Sequence, residues 1–213
     1  DGAIFTPAYI TQYISKFTIE KCVVDKFNKK YGWCCKDLTE VYNKIENTSE
    51  ANEIVSNLKI LDPAVGSGHF LVSALNELIY IKYKLGILFD EFGQTINRRE
   101  YEISIENDEI VIRDGAGVFT YNKDNKESRR IQKTIFNEKR RIIENCLFGV
   151  DINPNAVNIC RLRLWIELLK NAYYKDDGNL ETLPNIDINI KCGNSLVHRF
   201  DLDISVSKIM KRD

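Results

Sequence analysis

The sequence lacks the usual signatures of a membrane protein, a disulfide scaffold and a metal site. No apolar run approaches the roughly 20 residues that span a bilayer, and no signal peptide is visible at the start. The six cysteines form no C-x-x-C pair and only two histidines are present, so we expect no metal. Unpaired cysteines fit a reducing cytoplasm. Because the net charge is only −1, a polyanion would have to be held by a local basic patch.

The composition fits one globular core with an appended subdomain. The chain has 213 residues, of which 44% are hydrophobic and 29% are charged, which is enough apolar mass for one core. It begins with Asp1 instead of methionine, so we interpret it as part of a longer polypeptide. We expect an N-terminal helical segment at 1–57 and an α/β domain at 58–213, interrupted by an insertion at about 86–126.

The first 57 residues predict helices. Thr6 is suited to cap a helix and Pro7 to stand in its first turn, while Gly32 is a plausible stop. Apolar residues at helical spacing predict one buried face, which comprises Ile10, Tyr13, Ile14, Phe17, Val24 and Phe27. A more polar helix is expected at 36–57, with a break near 47–49.

The rest of the chain alternates strands with helices. Apolar runs predict strands at 58–61, 146–152 and 186–191, separated by helices at 67–85, 127–145 and 153–174. Residues 101–112 alternate in the manner of a β-hairpin. Three strands joined by helices predict a parallel, doubly wound α/β sheet with right-handed crossovers.

Two of the predicted helices have unusual compositions. The helix at 153–174 is apolar nearly all round, which predicts deep burial. The helix at 127–145 is basic, and the cations in it and just before it are Lys123, Lys126, Arg129, Arg130, Lys133, Lys139, Arg140 and Arg141. We interpret its cations as a solvated face balanced by glutamates, with phosphate contacts as the alternative.

Polar side chains follow each of the three predicted strands. Asp62 and Asp151 end the first two strands, and Asn194 comes directly after the third. Ligands of doubly wound sheets bind at the carboxyl ends of the strands. The pattern therefore predicts a ligand site that contains these three residues.

The turn after the first strand narrows the choice of ligand. It contains Gly66 and Gly68, but Leu71 stands where a dinucleotide fingerprint has its third glycine. Asp62 precedes the turn, and its carboxylate would repel a pyrophosphate but attract an ammonium group. These residues favour a ligand with a nucleoside part and a cationic part, such as S-adenosylmethionine. Asp151 would bond a ribose diol, although it lies much further along the chain than the usual 20 or so residues, which is why we infer the insertion.

Four motifs occur in the order found in one known family. They are FTP at 5–7, DPAVGSGHFL at 62–71, GVDINP at 149–154 and CGNSL at 192–196. Together they resemble gamma-class adenine-N6 DNA methyltransferases, and especially the methylase region of type IIG restriction–modification enzymes. The resemblance implies a Rossmann-like methyltransferase fold, truncated here, with N-terminal helices and an inserted hairpin plus helix.

The resemblance also implies roles for particular residues. Thr6 and the glycine turn would hold the methionine end of S-adenosylmethionine, Asp151 the ribose hydroxyls and Ile152 the adenine ring. Asn194 would read the adenine amino group, and Asn153-Pro154 is interpreted as a helix start. The expected cofactor-binding residues are Thr6, Asp62, Pro63, Ala64, Gly66, Gly68, Asp151, Ile152 and Asn194.

The family's catalytic string, Asn/Asp-Pro-Pro-aromatic, is absent from the sequence as far as its last residue, Asp213. In that string polar groups accept hydrogen bonds from the target amino group and the ring stacks on a flipped base. We expect the string to lie beyond Asp213. We therefore name no catalytic residue and expect these 213 residues to be inactive alone. Double-stranded DNA and the remainder of the same polypeptide are the expected partners.

Other functions stay open on the sequence alone. A type I modification subunit, or a methyltransferase acting on RNA or protein amides, would share these motifs. Alternatives of another class are a nicotinamide-dependent oxidoreductase and a non-catalytic interaction module that has kept the fold without the ligand.

Overall fold

The computed structural model describes residues 6–175, 177–181 and 189–196. Within them, six helices and six strands follow one another along the chain. In order they are α1 (Ala8–Tyr31), α2 (Leu38–Lys44), α3 (Thr48–Ser56), β1 (Ile60–Asp62), α4 (His69–Lys84), β2 (Glu102–Glu106), β3 (Glu109–Asp114), β4 (Gly117–Val118), α5 (Lys126–Asn145), β5 (Leu147–Asp151), α6 (Pro154–Leu169) and β6 (Ile190–Cys192).

A parallel sheet of three strands, in the order β1-β5-β6, organises the fold. Asp62 pairs with Gly149, and Asp151 pairs with Cys192. The α/β class and the parallel sheet are confirmed. Of the third predicted strand, residues 186–188 lie outside the described residues, and the observed strand continues to Cys192.

Helix α4 lies at the centre of the core and is buried on almost every side. Helix α1 packs along it, and the two run in the same direction, because Thr11 meets Ser73 while Lys16 and Glu20 both act on Glu77. The amino ends of α1 and α4 therefore lie at the same end of the molecule. Within the described part of the chain, no helix is both long and apolar enough to cross a membrane.

The predicted details of α1 were partly wrong. The helix begins at Ala8, with Pro7 at the cap position and no capping side chain, so Thr6 is not its cap. Of the predicted apolar face, Val24 and Phe27 are buried, but Tyr13, Ile14 and Phe17 are exposed. Thr11 and Ser15 are buried in their place, because small polar residues allow α1 to approach α4 closely.

The predicted hairpin is present and has a third strand. Strands β2 and β3 are antiparallel, and β4 adds to β3. Asn107 and Asp108 have φ of 51° and 65°, as in the tight turns that match the twist of a two-residue hairpin. The Asp108 side chain accepts a hydrogen bond from the Ser73 hydroxyl at 2.8 Å, so the hairpin tip is docked on α4.

Helix α5 departs at two residues, Glu138 and Lys139, from its interpretation as a solvated basic face balanced by glutamates. Lys139 is buried and pairs with Glu167 of α6 at 3.3 Å. A second buried pair joins Lys82 of α4 to Glu138 of α5. These cations hold helices together instead of facing solvent, which the count of basic residues could not reveal.

The expectation that α6 is buried all round was wrong. Val157, Cys160, Leu164 and Leu168 are buried. The opposite face is exposed, although it consists of apolar residues: Ile159, Leu162, Trp165, Ile166 and Leu169. Composition alone could not distinguish a helix packed on one side from one packed on all sides.

Candidate functional site

The turn between β1 and α4 lies across the end of the neighbouring strand. The Val65 amide donates to the Val150 carbonyl at 2.9 Å, and the Gly68 amide donates to the Val65 carbonyl at 2.8 Å. Gly66 and Gly68 have φ of 51° and 84°, a region that costs other residues roughly 1–2 kcal/mol. The two glycines therefore let the backbone turn sharply from strand to helix.

Gly68 and Gly149 lie too close to neighbouring side chains to carry a Cβ atom. A Cβ on Gly68 would lie 2.6 Å from the Cys160 sulfur. A Cβ on Gly149 would lie 2.9 Å from both Val65 and Ile190 side chains. The sequence predicted a special role for Gly68 but not for Gly149. A single glycine within a strand does not indicate which neighbouring side chain will pack against it.

Asp151 is the acidic residue that binds the turn directly. One of its carboxylate oxygens accepts a hydrogen bond from the Gly66 amide at 2.8 Å. The other accepts from the Asn153 amide at 2.8 Å. Each oxygen keeps a further lone pair, so the carboxylate can position the turn and still accept from a ligand. The interpretation of Asn153-Pro154 as a helix start is confirmed, since Asn153 caps α6.

Asp62 lies on the adjacent strand, next to Asp151. Its side chain accepts a hydrogen bond from the Ala64 amide at 3.0 Å. Burial raises the pKa of the Asp62 carboxyl, and the negative charge of Asp151 raises it further. Two carboxylates thus act on each other at the carboxyl ends of β1 and β5, where a bound cation would relieve their repulsion.

The remaining strand end is also at this edge of the sheet. The Gly193 amide donates to the Asp151 carbonyl at 2.9 Å, which fixes the chain just before Asn194. The Asn194 side-chain oxygen accepts from the Leu196 amide at 2.9 Å. That oxygen retains one lone pair for a ligand, and the Asn194 side chain is exposed.

Ile152 is 72% exposed although it follows a buried strand. It stands directly between the Asp151 carboxylate and the start of α6, and Pro63 and Ala64 are exposed beside the turn. An exposed isoleucine next to two carboxylates and a bare backbone turn is a surface that an apolar ring can cover. The structure thus brings these residues to one edge.

Thr6 reaches the same end of the molecule by a different route. Within the described part of the chain, no hydrogen bond or ion pair joins Thr6 to another predicted site residue, and the Thr6 side chain is exposed. However, the Thr11 hydroxyl lies 3.3 Å from that of Ser73. Thr6 lies five residues before Thr11, and Gly68 lies five residues before Ser73. Because α1 and α4 run parallel, Thr6 and the glycine turn lie at the same end of this helix pair.

The expected catalytic string lies outside the described residues. It is expected beyond Asp213, and Asp213 itself lies outside the described residues, together with the rest of 197–213. Its position therefore stays a prediction. The described residues bear only on the expected cofactor-binding side of the site.

His69 and Arg163 are two polar neighbours that sequence reasoning did not assign to the site. Burial lowers the pKa of the His69 imidazole, and the positive charge of Arg163 lowers it further. Burial also raises the pKa of the Cys160 thiol to about 12, so this cysteine packs under the turn as a neutral thiol. Among the described residues, no three His, Cys, Asp or Glu side chains are grouped to hold a metal ion.

Two relatives share sequence with this chain. It is 36% identical over 214 residues to a putative type II restriction enzyme and methyltransferase of Methanocaldococcus jannaschii, a match that covers 94% of the chain and 15% of the relative. It is 28% identical over 148 residues to the type II restriction enzyme and methyltransferase RM.Eco57I of Escherichia coli, covering 69% of the chain and 12% of the relative. The chain therefore spans less than a sixth of the length of either relative.

A family model gives the more general relationship. Residues 38–209 match the model of the MmeI DNA-methyltransferase domain. The matched segment includes the glycine turn, both carboxylates, the hairpin insertion and all three strands of the parallel sheet. The chain belongs to the MmeI DNA-methyltransferase domain family.

Proposed function

We propose that this chain forms the S-adenosylmethionine site of a restriction–modification enzyme of type IIG that methylates adenine N6 in double-stranded DNA. The observation that carries the proposal is the pair Asp62 and Asp151. Their carboxylates lie on adjacent strand ends beside a glycine turn, close enough for Asp151 to raise the pKa of Asp62. Such a pair favours a cation, and a sulfonium nucleoside carries its cationic groups next to a ribose.

The residues around the pair fit this group. An added Cβ on Gly66 would meet nothing within 4 Å, so the space above the turn is open. In the proposal Asp62 accepts from the amino group, Asp151 bonds the ribose hydroxyls, and the exposed Ile152 packs on the adenine ring. Asn194 bonds the adenine amino group with its remaining lone pair, and Thr6 with the turn, including Pro63, Ala64 and Gly68, encloses the methionine end.

When bound, S-adenosylmethionine supplies the methyl group. In the proposal this chain orients it: the glycine turn packs against one end, while Asp151 holds both the turn and the sugar.

The relatives support DNA as the substrate, since both are named restriction enzymes and methyltransferases. Adenine N6 rests on the four motifs in their order. The string that would accept the amino hydrogens of a flipped base is absent from these residues. We therefore propose that the target-binding residues follow Asp213 in the polypeptide, and that these 213 residues alone bind the cofactor without transferring its methyl group.

Isothermal titration calorimetry with S-adenosylmethionine tests the cofactor site. We expect Asp62→Asn and Asp151→Asn each to weaken binding at least about tenfold, the effect of losing one charge-assisted hydrogen bond. Asp25→Asn, on the exposed side of α1, is the matched control and should bind like the wild type. Unchanged affinity in both site variants, or tighter binding of NAD than of S-adenosylmethionine, would contradict the proposal.

The methylation step needs a separate assay. The complete polypeptide is incubated with plasmid DNA and S-adenosylmethionine carrying a labelled methyl group, and the DNA is digested to nucleosides. We expect label in N6-methyladenine and none in methylcytosine by mass spectrometry. Label in RNA or protein, but not in DNA, would contradict the proposed DNA substrate and would leave the proposed cofactor unchanged.

A further inference from the structure

A cavity lies between α1, α4 and the β2–β3 hairpin. Its volume is about 380 Å³, within the size range of small-ligand sites. Its wall on α4 extends from Ser73 to Tyr80, which is roughly 6–17 Å along the helix from its first residue, His69. Its walls include Tyr9, Tyr13, Lys16, Glu77, Tyr80 and Asp108.

Glu77 is an unusual residue to find in this wall. It is only 4% exposed, and its Oε1 atom has no hydrogen-bond partner. Buried carboxylate oxygens are normally satisfied, so an unpartnered one at a cavity indicates a missing donor. Burial and the charge of Glu20 together raise the pKa of this carboxyl to about 7, against the opposing charge of Lys16.

A second carboxylate faces the same space from the hairpin tip. Ser73 donates to the Oδ1 atom of Asp108 at 2.8 Å, and the Asn76 amide donates to its backbone carbonyl at 2.6 Å. These bonds fix the position of Asp108, and Gln12 of α1 gives its carboxylate a further side-chain hydrogen bond. Burial raises the pKa of the Asp108 carboxyl against the opposing effect of these hydrogen bonds, and a carboxylate that accepts two of them keeps lone pairs for a ligand.

Aromatic rings complete the cavity. Tyr9 and Tyr13, one turn apart on α1, are each 71% exposed, and Tyr80 lies on the opposite wall. Tyrosine faces attract cations through the ring quadrupole and also cover methylene groups. Carboxylates with aromatic rings are the combination that recognises organic ammonium ions.

We propose that this cavity binds a small protonated alkylamine, whose ammonium group donates hydrogen bonds to Glu77 Oε1 and Asp108 while the tyrosine rings cover its methylene chain. The site is separate from the cofactor site and does not depend on the proposed methylation. At a pH below 7, where Glu77 is largely protonated, binding of the cation releases that proton to solvent.

The other charges around Glu77 determine how strongly the amine is held. Glu20 adds negative charge from α1, while Lys16 on the same helix is exposed and opposes the ligand. Lys16 is the internal competitor, because its flexible side chain can approach the same carboxylate. Removing its charge should therefore tighten binding, which loss of a merely structural residue would not do.

Isothermal titration calorimetry with 1,4-diaminobutane tests the proposal, with 1,4-butanediol as the uncharged control. We expect the diamine to bind and the diol not to bind. Glu77→Gln should weaken diamine binding more than tenfold, Lys16→Gln should strengthen it several-fold, and Glu53→Gln on the exposed side of α3 should leave it unchanged. Titrations in buffers of different ionisation enthalpy should detect proton release at pH 6 that disappears by pH 8.5.

Several results would overturn the inference. They are the absence of diamine binding at millimolar concentration, equal binding of diamine and diol, and equal affinity in wild type and Glu77→Gln. Preferential binding of an anionic ligand would also overturn it. Urea denaturation of Glu77→Gln shows whether the variant is folded. If it is not, the Lys16→Gln variant and the proton release decide the question.

Discussion

Replacing Gly68 by alanine tests the geometry of the turn, because two physical effects act at this position and only one acts at Gly66. Both residues have positive φ. However, a Cβ on Gly68 would lie 2.6 Å from the sulfur of Cys160, whereas a Cβ on Gly66 would meet nothing within 4 Å. We therefore expect the two alanine variants to differ in stability, although the sequence presents the glycines as equivalent.

The magnitudes follow from strain and overpacking. A left-handed conformation costs a non-glycine residue roughly 1–2 kcal/mol, and this applies to both variants. Overpacking adds about 1–3 kcal/mol, and it applies only to Gly68→Ala, since the new Cβ would meet the buried Cys160 sulfur. The free energy of unfolding should therefore fall by about 2–5 kcal/mol in Gly68→Ala and by about 1–2 kcal/mol in Gly66→Ala.

The assay is urea denaturation followed by circular dichroism, with a double-mutant cycle through Cys160→Ala. Without the sulfur, the nearest atom to the new Cβ is the Cys160 Cβ, at 3.4 Å. The double variant Gly68→Ala/Cys160→Ala should therefore recover the overpacking part and keep the strain, giving a coupling energy of about 1–3 kcal/mol. Additive effects within about 0.5 kcal/mol, or equal destabilisation by Gly66→Ala and Gly68→Ala, would refute the reasoning.

Two further predictions concern buried charges. Glu138→Leu leaves the Lys82 ammonium buried without its ion-pair partner, so the free energy of unfolding should fall by about 3–5 kcal/mol. The double variant Lys82→Met/Glu138→Leu should recover most of this loss. Equal instability of the single and double variants in urea would contradict the prediction. The pKa of Glu77 is raised in the folded state from 4.5 to about 7. The folded protein therefore binds more protons than the unfolded chain in that window, and the stabilisation present below pH 4.5 is lost as the pH rises to about 7. Glu77→Gln should remove up to about 3 kcal/mol of this pH-dependent loss. The measurement is the free energy of unfolding against pH for the variant and the wild type. Parallel curves would show that the Glu77 pKa is not raised in the folded state.

The strand ends could be predicted because each is marked locally. An apolar run that stops at an acid fixes where β1 and β5 end, and a parallel sheet brings such ends to one edge. Asp62 and Asp151 were therefore predicted from the sequence as neighbours. The charge of Asp151 acts on the pKa of Asp62 in the structure.

Contacts between distant segments could not be predicted in this way. Sequence periodicity places Asp151 at the end of a strand, but it does not reveal that the carboxylate accepts from the Gly66 amide. The exposed face of α6 and the buried face of α1 were missed for a related reason. Helical spacing says which residues share a face, but the choice of buried face depends on which neighbour packs there, as with Thr11 and Ser73.

The insertion at about 86–126 was predicted as an interruption of the methyltransferase sheet, and its contacts give it a further consequence. Its tip residue Asp108 binds Ser73 through the side chain and Asn76 through the backbone, and Ser73 also meets Thr11 of α1. The hairpin therefore secures the pair α1 and α4 close to the end that carries Thr6 and the glycine turn. A hairpin that fixes the packing of α1 on α4 therefore also fixes how Thr6 and the glycine turn lie relative to each other. In the function proposed above, the insertion thus supports the cofactor site, although none of its residues belongs to one of the four motifs.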